Sequence, residues 1–102
     1  MLEVAVQHIE ITPGICGGKP RIAGHRITVQ NIAIWHEKMG RSVDEIATEY
    51  DLTLGQVYAA LSYYHDHLQE IEQSIRDDEA FVEDLRRRTP SLVAERLKRG
   101  RG

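Results

Sequence analysis

The sequence predicts a mainly α fold with a short N-terminal strand or hairpin region, a helix-turn-helix and a long third helix. Three observations predict it. Alternating apolar residues open the chain. Two Ser/Thr-x-x-Glu/Gln capping boxes follow, at Ser42–Glu45 and Thr53–Gln56. A heptad-like apolar stripe starts at the second box.

The strand region comes first. Leu2, Val4 and Val6 alternate with polar or small residues, and Ile9 and Ile11 alternate again. This is the period of a strand. The phase slips between Val6 and Ile9, which predicts a bulge near Gln7 and His8. Pro13-Gly14 and Gly17-Gly18 are turn signals. Pro20 holds Lys19 extended, and Arg21, Ile22 and Ala23 make a second short strand closed by Gly24.

Helices follow. Val29, Ile32, Ala33, His36 and Met39 recur at helical spacing, with Thr28 as N-cap and Gly40 as stop. Ser42 and Glu45 start the next helix, whose apolar face is Val43, Ile46, Ala47 and Tyr50. Asp51-Leu52 breaks it. Thr53 and Gln56 start the third, with Leu52 and Val57 placed as a hydrophobic staple. Each cap stabilises its helix by roughly 1 kcal/mol.

Leu54, Val57, Leu61, Tyr64, Leu68, Ile71 and Ile75 then alternate spacings of three and four over about six turns. Asp78 interrupts the stripe, and Val82 and Leu85 resume it, which predicts a separate or kinked helix over residues 77–88. Thr89-Pro90 ends that helix. Residues 91–97 are expected to form one or two further turns, and residues 98–102 to be disordered. The expected organisation is a domain over residues 1–75 and a C-terminal, partner-binding extension over residues 76–102.

Length and composition narrow the function classes. At 102 residues the chain makes one domain with a modest core, so an oligomer is expected. No stretch approaches the ~20 apolar residues of a membrane span. The opening residues lack the basic start and apolar core of a secretory signal. The single Cys16 cannot form an internal disulfide. A cytoplasmic setting is expected.

Charge is uneven along the chain. Net charge is −3. Residues 42–75 contain no Lys or Arg, and residues 44–84 hold twelve acidic side chains against Arg76 alone. Residues 86–102 hold seven basic side chains against Glu95 alone. An acidic middle thus lies between basic ends.

Enzyme chemistry finds little support. Gly18-Lys19 suggests a phosphate loop, but only three residues separate it from Gly14, and Pro20 removes an amide where a helix should begin. His65 and His67 point to different helix faces, and no Cys pair exists, so no metal site is expected. The carboxylates follow solvated helix faces. Cys16 has no recognisable partner base. No catalytic residue and no cofactor are expected.

The strongest constellation is the helical trio. A short helix, a tight turn and a capped helix form a helix-turn-helix, whose second helix enters the DNA major groove in repressors. Thr53, Gly55, Gln56, Ala59 and Ser62 lie off the apolar stripe. Gln56 is the best base reader, because its amide can bond adenine at two points. Its competing role is to close the capping box. Phosphate contacts supply most non-specific affinity, yet this helix has no basic residue. Lys19, Arg21, Arg26, Lys38, Arg41 or the basic tail must supply them. The expected DNA-binding set is Lys19, Arg21, Arg26, Arg41, Thr53 and Gln56.

The stripe beyond Leu68 outruns helices that span only about 16 Å. Leu68, Ile71 and Ile75 therefore need another cover. A second copy is the expected one, with the helix over residues 77–88 folding back as the alternative.

The ordered set Ile15, Gly18-Lys19-Pro20, Ile22, Gly24, Arg26-Ile27 and Val29 continues with Ser42, Glu45-Ile46-Ala47 and Tyr50. Leu52-Thr53, Val57, Ala60-Leu61 and Tyr63-Tyr64 complete it. This set resembles the bacterial "domain of unknown function 433" family, described as antitoxins with a homeodomain-like fold. The resemblance covers residues 9–65, with His25 where the pattern more often has Thr. It implies a type II antitoxin that binds its own promoter and neutralises a PIN-like nuclease toxin. Antitoxin tails usually hold the toxin, which points to Arg96, Lys98 and Arg99 as ligands for the nuclease's carboxylates. The alternative is a protein-interaction module that binds a partner and ignores DNA.

Overall fold

The computed structural model describes residues 7–88. β1 (Ile9–Glu10) pairs antiparallel with β2 (Arg21–Ile22), with Ile9 opposite Ile22 and Glu10 opposite Arg21. A 3-10 turn, Cys16–Gly18, separates them. Four helices follow. These are α1 (Val29–Ala33), which runs into a π-helical turn at Ile34–Lys38, then α2 (Val43–Glu49), α3 (Leu54–Asp66) and α4 (Leu68–Arg88). The expected class, mainly α with a short N-terminal hairpin, is the observed one. The chain divides into two compact units, Met1–Ile71 and Glu72–Gly102.

The glycine-rich stretch serves the hairpin. Gly17 and Gly18 take φ of 66° and 75°, which a side chain rarely adopts. The Gly18 N–H donates to the Ile15 carbonyl at 3.0 Å and the Lys19 N–H to that of Cys16 at 3.2 Å. These amides are used within the turn and do not face outward to cradle a phosphate. Beyond it, Ala23 N–H meets the His8 carbonyl at 2.7 Å, and Val29 N–H meets that of Pro20 at 2.9 Å. The hairpin is thereby tied to the start of α1.

All three expected N-caps form. Thr28, Ser42 and Thr53 each accept a backbone N–H three residues on, and Asn31, Glu45 and Gln56 each return a side-chain bond to the cap. α2 ends at Asp51, which has a φ of 53°. Leu52 N–H then reaches back to the Ala47 carbonyl at 2.9 Å. This is the six-residue closure of a Schellman motif, with Leu52 packing over the helix end. The turn between α2 and α3 is therefore set by local bonds alone.

The core of the first unit lies where α1 and α2 both pack on α3, with the two strands against α3 as well. Ile22, Val29, Ile32, Ala33, Ile46, Val57 and Ala60 are completely buried there. Fully burying an aliphatic side chain contributes about 1.5–3 kcal/mol, so these few residues carry most of the unit's stability. Trp35 stacks on Tyr50 at 4.1 Å, and the His36 ring meets the Arg41 carbonyl at 2.8 Å. The π turn at the end of α1 carries both Trp35 and His36.

Two expected boundaries move. The stripe read as one long third helix is divided at His67, whose φ and ψ are −125° and 39°. The His67 ring stacks on Tyr63 at 3.9 Å, and its Nδ1 bonds the Tyr63 carbonyl at 3.0 Å. The Tyr63 carbonyl thus accepts twice from His67, since it also keeps the helical bond from the His67 N–H at 2.9 Å. Conversely, Asp78 interrupts nothing, because α4 runs through it unbroken. Among the described residues, no helix is long and apolar enough to cross a membrane. The alternating residues Leu2, Val4 and Val6 lie outside the described residues, as does everything expected of residues 89–102.

Candidate nucleic-acid and partner interfaces

The helix-turn-helix surface is built by α2, the Schellman turn and the front of α3. Thr53 and Gln56 stand there as expected, but both are committed locally. The Thr53 hydroxyl accepts the Gln56 N–H at 3.0 Å, and Gln56 Oε1 accepts the Thr53 N–H at 2.8 Å. Bidentate readout of adenine needs both the oxygen and the nitrogen of that amide. Gln56 would have to leave its cap to read a base.

The basic candidates do not converge. Arg21 is 7% exposed. Its guanidinium bonds the His25 carbonyl at 3.0 Å, the Thr12 hydroxyl at 3.2 Å and the Glu10 carboxylate at 3.0 Å. It pins the hairpin, and no phosphate can reach it in this structure, contrary to its expected place in a DNA surface. Arg41 is paired with Glu49 and lies over the Tyr50 ring, 5.8 Å from its centroid. Arg26 is exposed on the turn before α1, where its carbonyl accepts the Cys16 thiol at 3.3 Å. Lys19 is half-buried. Among the cations in this set, Arg26 is the exposed one, and Lys19 and Arg41 are half-buried.

The front of α3 is apolar rather than basic. Leu54 and Tyr58, one turn apart, are 48% and 58% exposed. His8 comes close to the start of the helix, since a Cβ on Gly55 would stand 3.7 Å from its Nε2. α2 and the turn that leads into α3 carry Asp44, Glu45, Glu49 and Asp51, all exposed. The three-and-four spacing predicts Leu54 on the buried stripe and passes over Tyr58. The misplacement follows from geometry, because the helix's first turn projects past the elements that cover Val57 and Leu61.

The stripe of α4 divides in the same way. Ile71 and Ile75 are buried within the single chain, whereas Leu68 is 44% exposed. Further along α4, Phe81, Val82 and Leu85 are exposed, Phe81 to 64%. Counting by three and four passes over Phe81, yet Phe81, Val82 and Leu85 share one helix face. The last turn carries Arg86, Arg87 and Arg88, which reach Glu83 and Asp84 at 3.0–3.9 Å. Arg96, Lys98 and Arg99 lie outside the described residues.

Among the described residues, no group of three or more His, Cys, Asp or Glu is placed to hold a metal. Cys16, the free thiol, takes a φ of 52° in the 3-10 turn.

The family model described as "Protein of unknown function (DUF433)" matches residues 9–64. The chain belongs to the DUF433 family. It is also similar to a solved DUF433 member protein from Anabaena variabilis ATCC 29413, at 34% sequence identity and a TM-score of 0.63. That match covers 68% of this chain and 68% of the other. No curated protein matches. The family region spans β1 to the buried Tyr64 of α3, so it takes in the hairpin and helix-turn-helix and leaves α4 outside.

Proposed function

We propose that this DUF433 chain is a non-enzymatic type II antitoxin that acts by protein contact, holding a PIN-like nuclease toxin through α4 and the residues after it. The observation that carries this reading is the exposed face of Phe81, Val82 and Leu85, which ends in the arginine-rich last turn of α4. An amphipathic helix with an uncovered apolar face is a common way to fill a groove on a partner. The basic residues that follow, with Arg96, Lys98 and Arg99 among them, suit a nuclease's acidic metal site. A cytoplasmic setting fits this role.

The test is inhibition of the nuclease encoded beside this gene. The purified full chain should form a stable complex with that enzyme and stop its cleavage of RNA. The double variant Phe81→Asp/Leu85→Asp should fold normally and lose both effects. A chain with no nuclease gene beside it, or a double variant that inhibits as well as the wild type, would end this reading.

A second reading, promoter binding by a homodimer, is favoured by the locally fixed turn between α2 and α3, the part of a helix-turn-helix that sets its docking angle. Arg26, Lys19 and the basic end of the chain would supply the phosphate contacts. If this reading fails, the chain acts by protein contact alone.

A further inference from the structure

We propose that the outer edge of β1 is a pairing surface for the same edge of a second copy of this chain, with the two strands antiparallel and Ile9 opposite Ile9. The argument starts from the ladder. Ala23 N–H bonds the His8 carbonyl, so His8 turns its backbone groups toward β2. Glu10, opposite Arg21, does the same. In an antiparallel ladder these groups alternate sides. Gln7, Ile9 and Ile11 therefore turn theirs outward. The outward Ile9 carbonyl is met by the exposed side chain of Gln7 at 3.2 Å.

Natural edge strands are blunted by Pro, Lys or a bulge. Residues 7–11 contain neither Pro nor Lys, and Pro13 is the first residue that would stop a ladder. Among the described residues the expected bulge is absent, since His8, Ile9 and Glu10 stay in step with Ala23, Ile22 and Arg21. Beside this edge lies an open groove of about 550 Å³ lined by Gln7, His8, Ile9, Ile11 and Tyr63. Ile11, at its rim, is 57% exposed. A ladder edge that no strand covers among the described residues, with a partly apolar groove alongside, fits an extended strand as its occupant, which would replace the Gln7 side chain on the Ile9 carbonyl.

Charge and symmetry select a second copy and its register. Outward-facing residues must meet outward-facing residues. Placing Ile9 opposite Ile9 sets Gln7 opposite Ile11 and His8 opposite Glu10 of the second copy, each twice by the two-fold axis. The imidazole then meets a carboxylate, the apolar pair sits at the centre, and Ile11 of each copy enters the other's groove. Sliding by one step puts Glu10 against Glu10, and like charges directly opposite are destabilising. Sliding the other way puts His8 against His8 and loses the pairing of imidazole with carboxylate.

Sedimentation velocity on the full chain tests the surface, and disulfide trapping tests the register. The wild type should dimerise. Ile9→Pro, which removes the outward N–H together with the half-buried Ile9 side chain, and Ile11→Lys, which places a charge on an exposed rim, should each raise the dimer dissociation constant at least about tenfold, or 1.4 kcal/mol. Their circular dichroism should match the wild type. In a Cys16→Ser background, Ile9→Cys should cross-link two copies on oxidation and Glu10→Cys should not, because only the former brings the two Cα atoms to about 5.5 Å in a hydrogen-bonded pair. A monomeric wild type, a dimer that persists in either folded variant, or cross-linking through Glu10→Cys in place of Ile9→Cys would overturn the proposal.

Discussion

A charged residue in a family-specific stretch can serve either binding or folding, and Arg21 serves folding. Three groups from different parts of the hairpin, at Glu10, Thr12 and His25, converge on its guanidinium. Its Nε is buried without a partner, a cost accepted because the other nitrogens are bonded. Nothing in the sequence marked this role. Arg21 and Ile22 are consecutive and both buried, so β2 is covered on both sides and the alternation that separates inward from outward residues is lost. Arg21→Ala should lower unfolding free energy by about 2–3 kcal/mol, since hydrogen bonds to charged groups are worth 1.5–3 kcal/mol each and the loss is partly rehydrated. Arg21→Lys should recover less than half, because an ammonium cannot span three acceptors with a fixed planar fork. Urea titration of both variants reads this directly. Wild-type stability in Arg21→Ala would show that the hairpin does not depend on the residue.

The elements divide into those fixed by neighbours in sequence and those fixed by packing. Helix starts were legible because a cap needs only four consecutive residues, and Thr28, Ser42 and Thr53 all cap as read. Thr53→Ala should therefore cost about 1 kcal/mol in thermal or urea unfolding. The turn that follows α2 depends on one backbone angle. Asp51 holds a left-handed φ of 53°, a conformation that costs most side chains roughly 1–2 kcal/mol but that Asp tolerates and Gly adopts freely. Asp51→Val should lose about 1–2 kcal/mol, whereas Asp51→Gly should be neutral or slightly stabilising. Equal losses in both variants would point to the carboxylate rather than the backbone. The division at His67 was not legible, because the spacing of three and four passes straight through it. The break is marked by the His67 backbone angles and by its side chain, which bonds the Tyr63 carbonyl and stacks on the Tyr63 ring, and a periodic pattern of apolar residues contains no trace of these.

At the scale of the whole molecule, charge decides which surface can meet nucleic acid. The sequence already placed twelve acidic residues between positions 44 and 84. It could not tell that Arg41 is neutralised by Glu49 or that Arg21 is enclosed, because both depend on contacts across the fold. The helix-turn-helix surface is thus more acidic in space than the chain is on average. Any DNA bound by α3 must take its phosphate contacts from cations outside that helix, with the exposed Arg26 first among those of the DNA-binding set. Each phosphate neutralised contributes a little under one unit to the slope of log affinity against log salt. Arg26→Ala should therefore reduce that slope by about 1 and weaken binding to all sequences alike. Tyr58→Ala, on the exposed front of α3, should leave the slope unchanged and alter only the preference among sequences. Fluorescence anisotropy of the promoter fragment, titrated at several salt concentrations, separates the two. If the wild type shows no binding even at low salt, the apolar and acidic front of α3 belongs to a protein partner, and the helix-turn-helix is a packing unit in this chain.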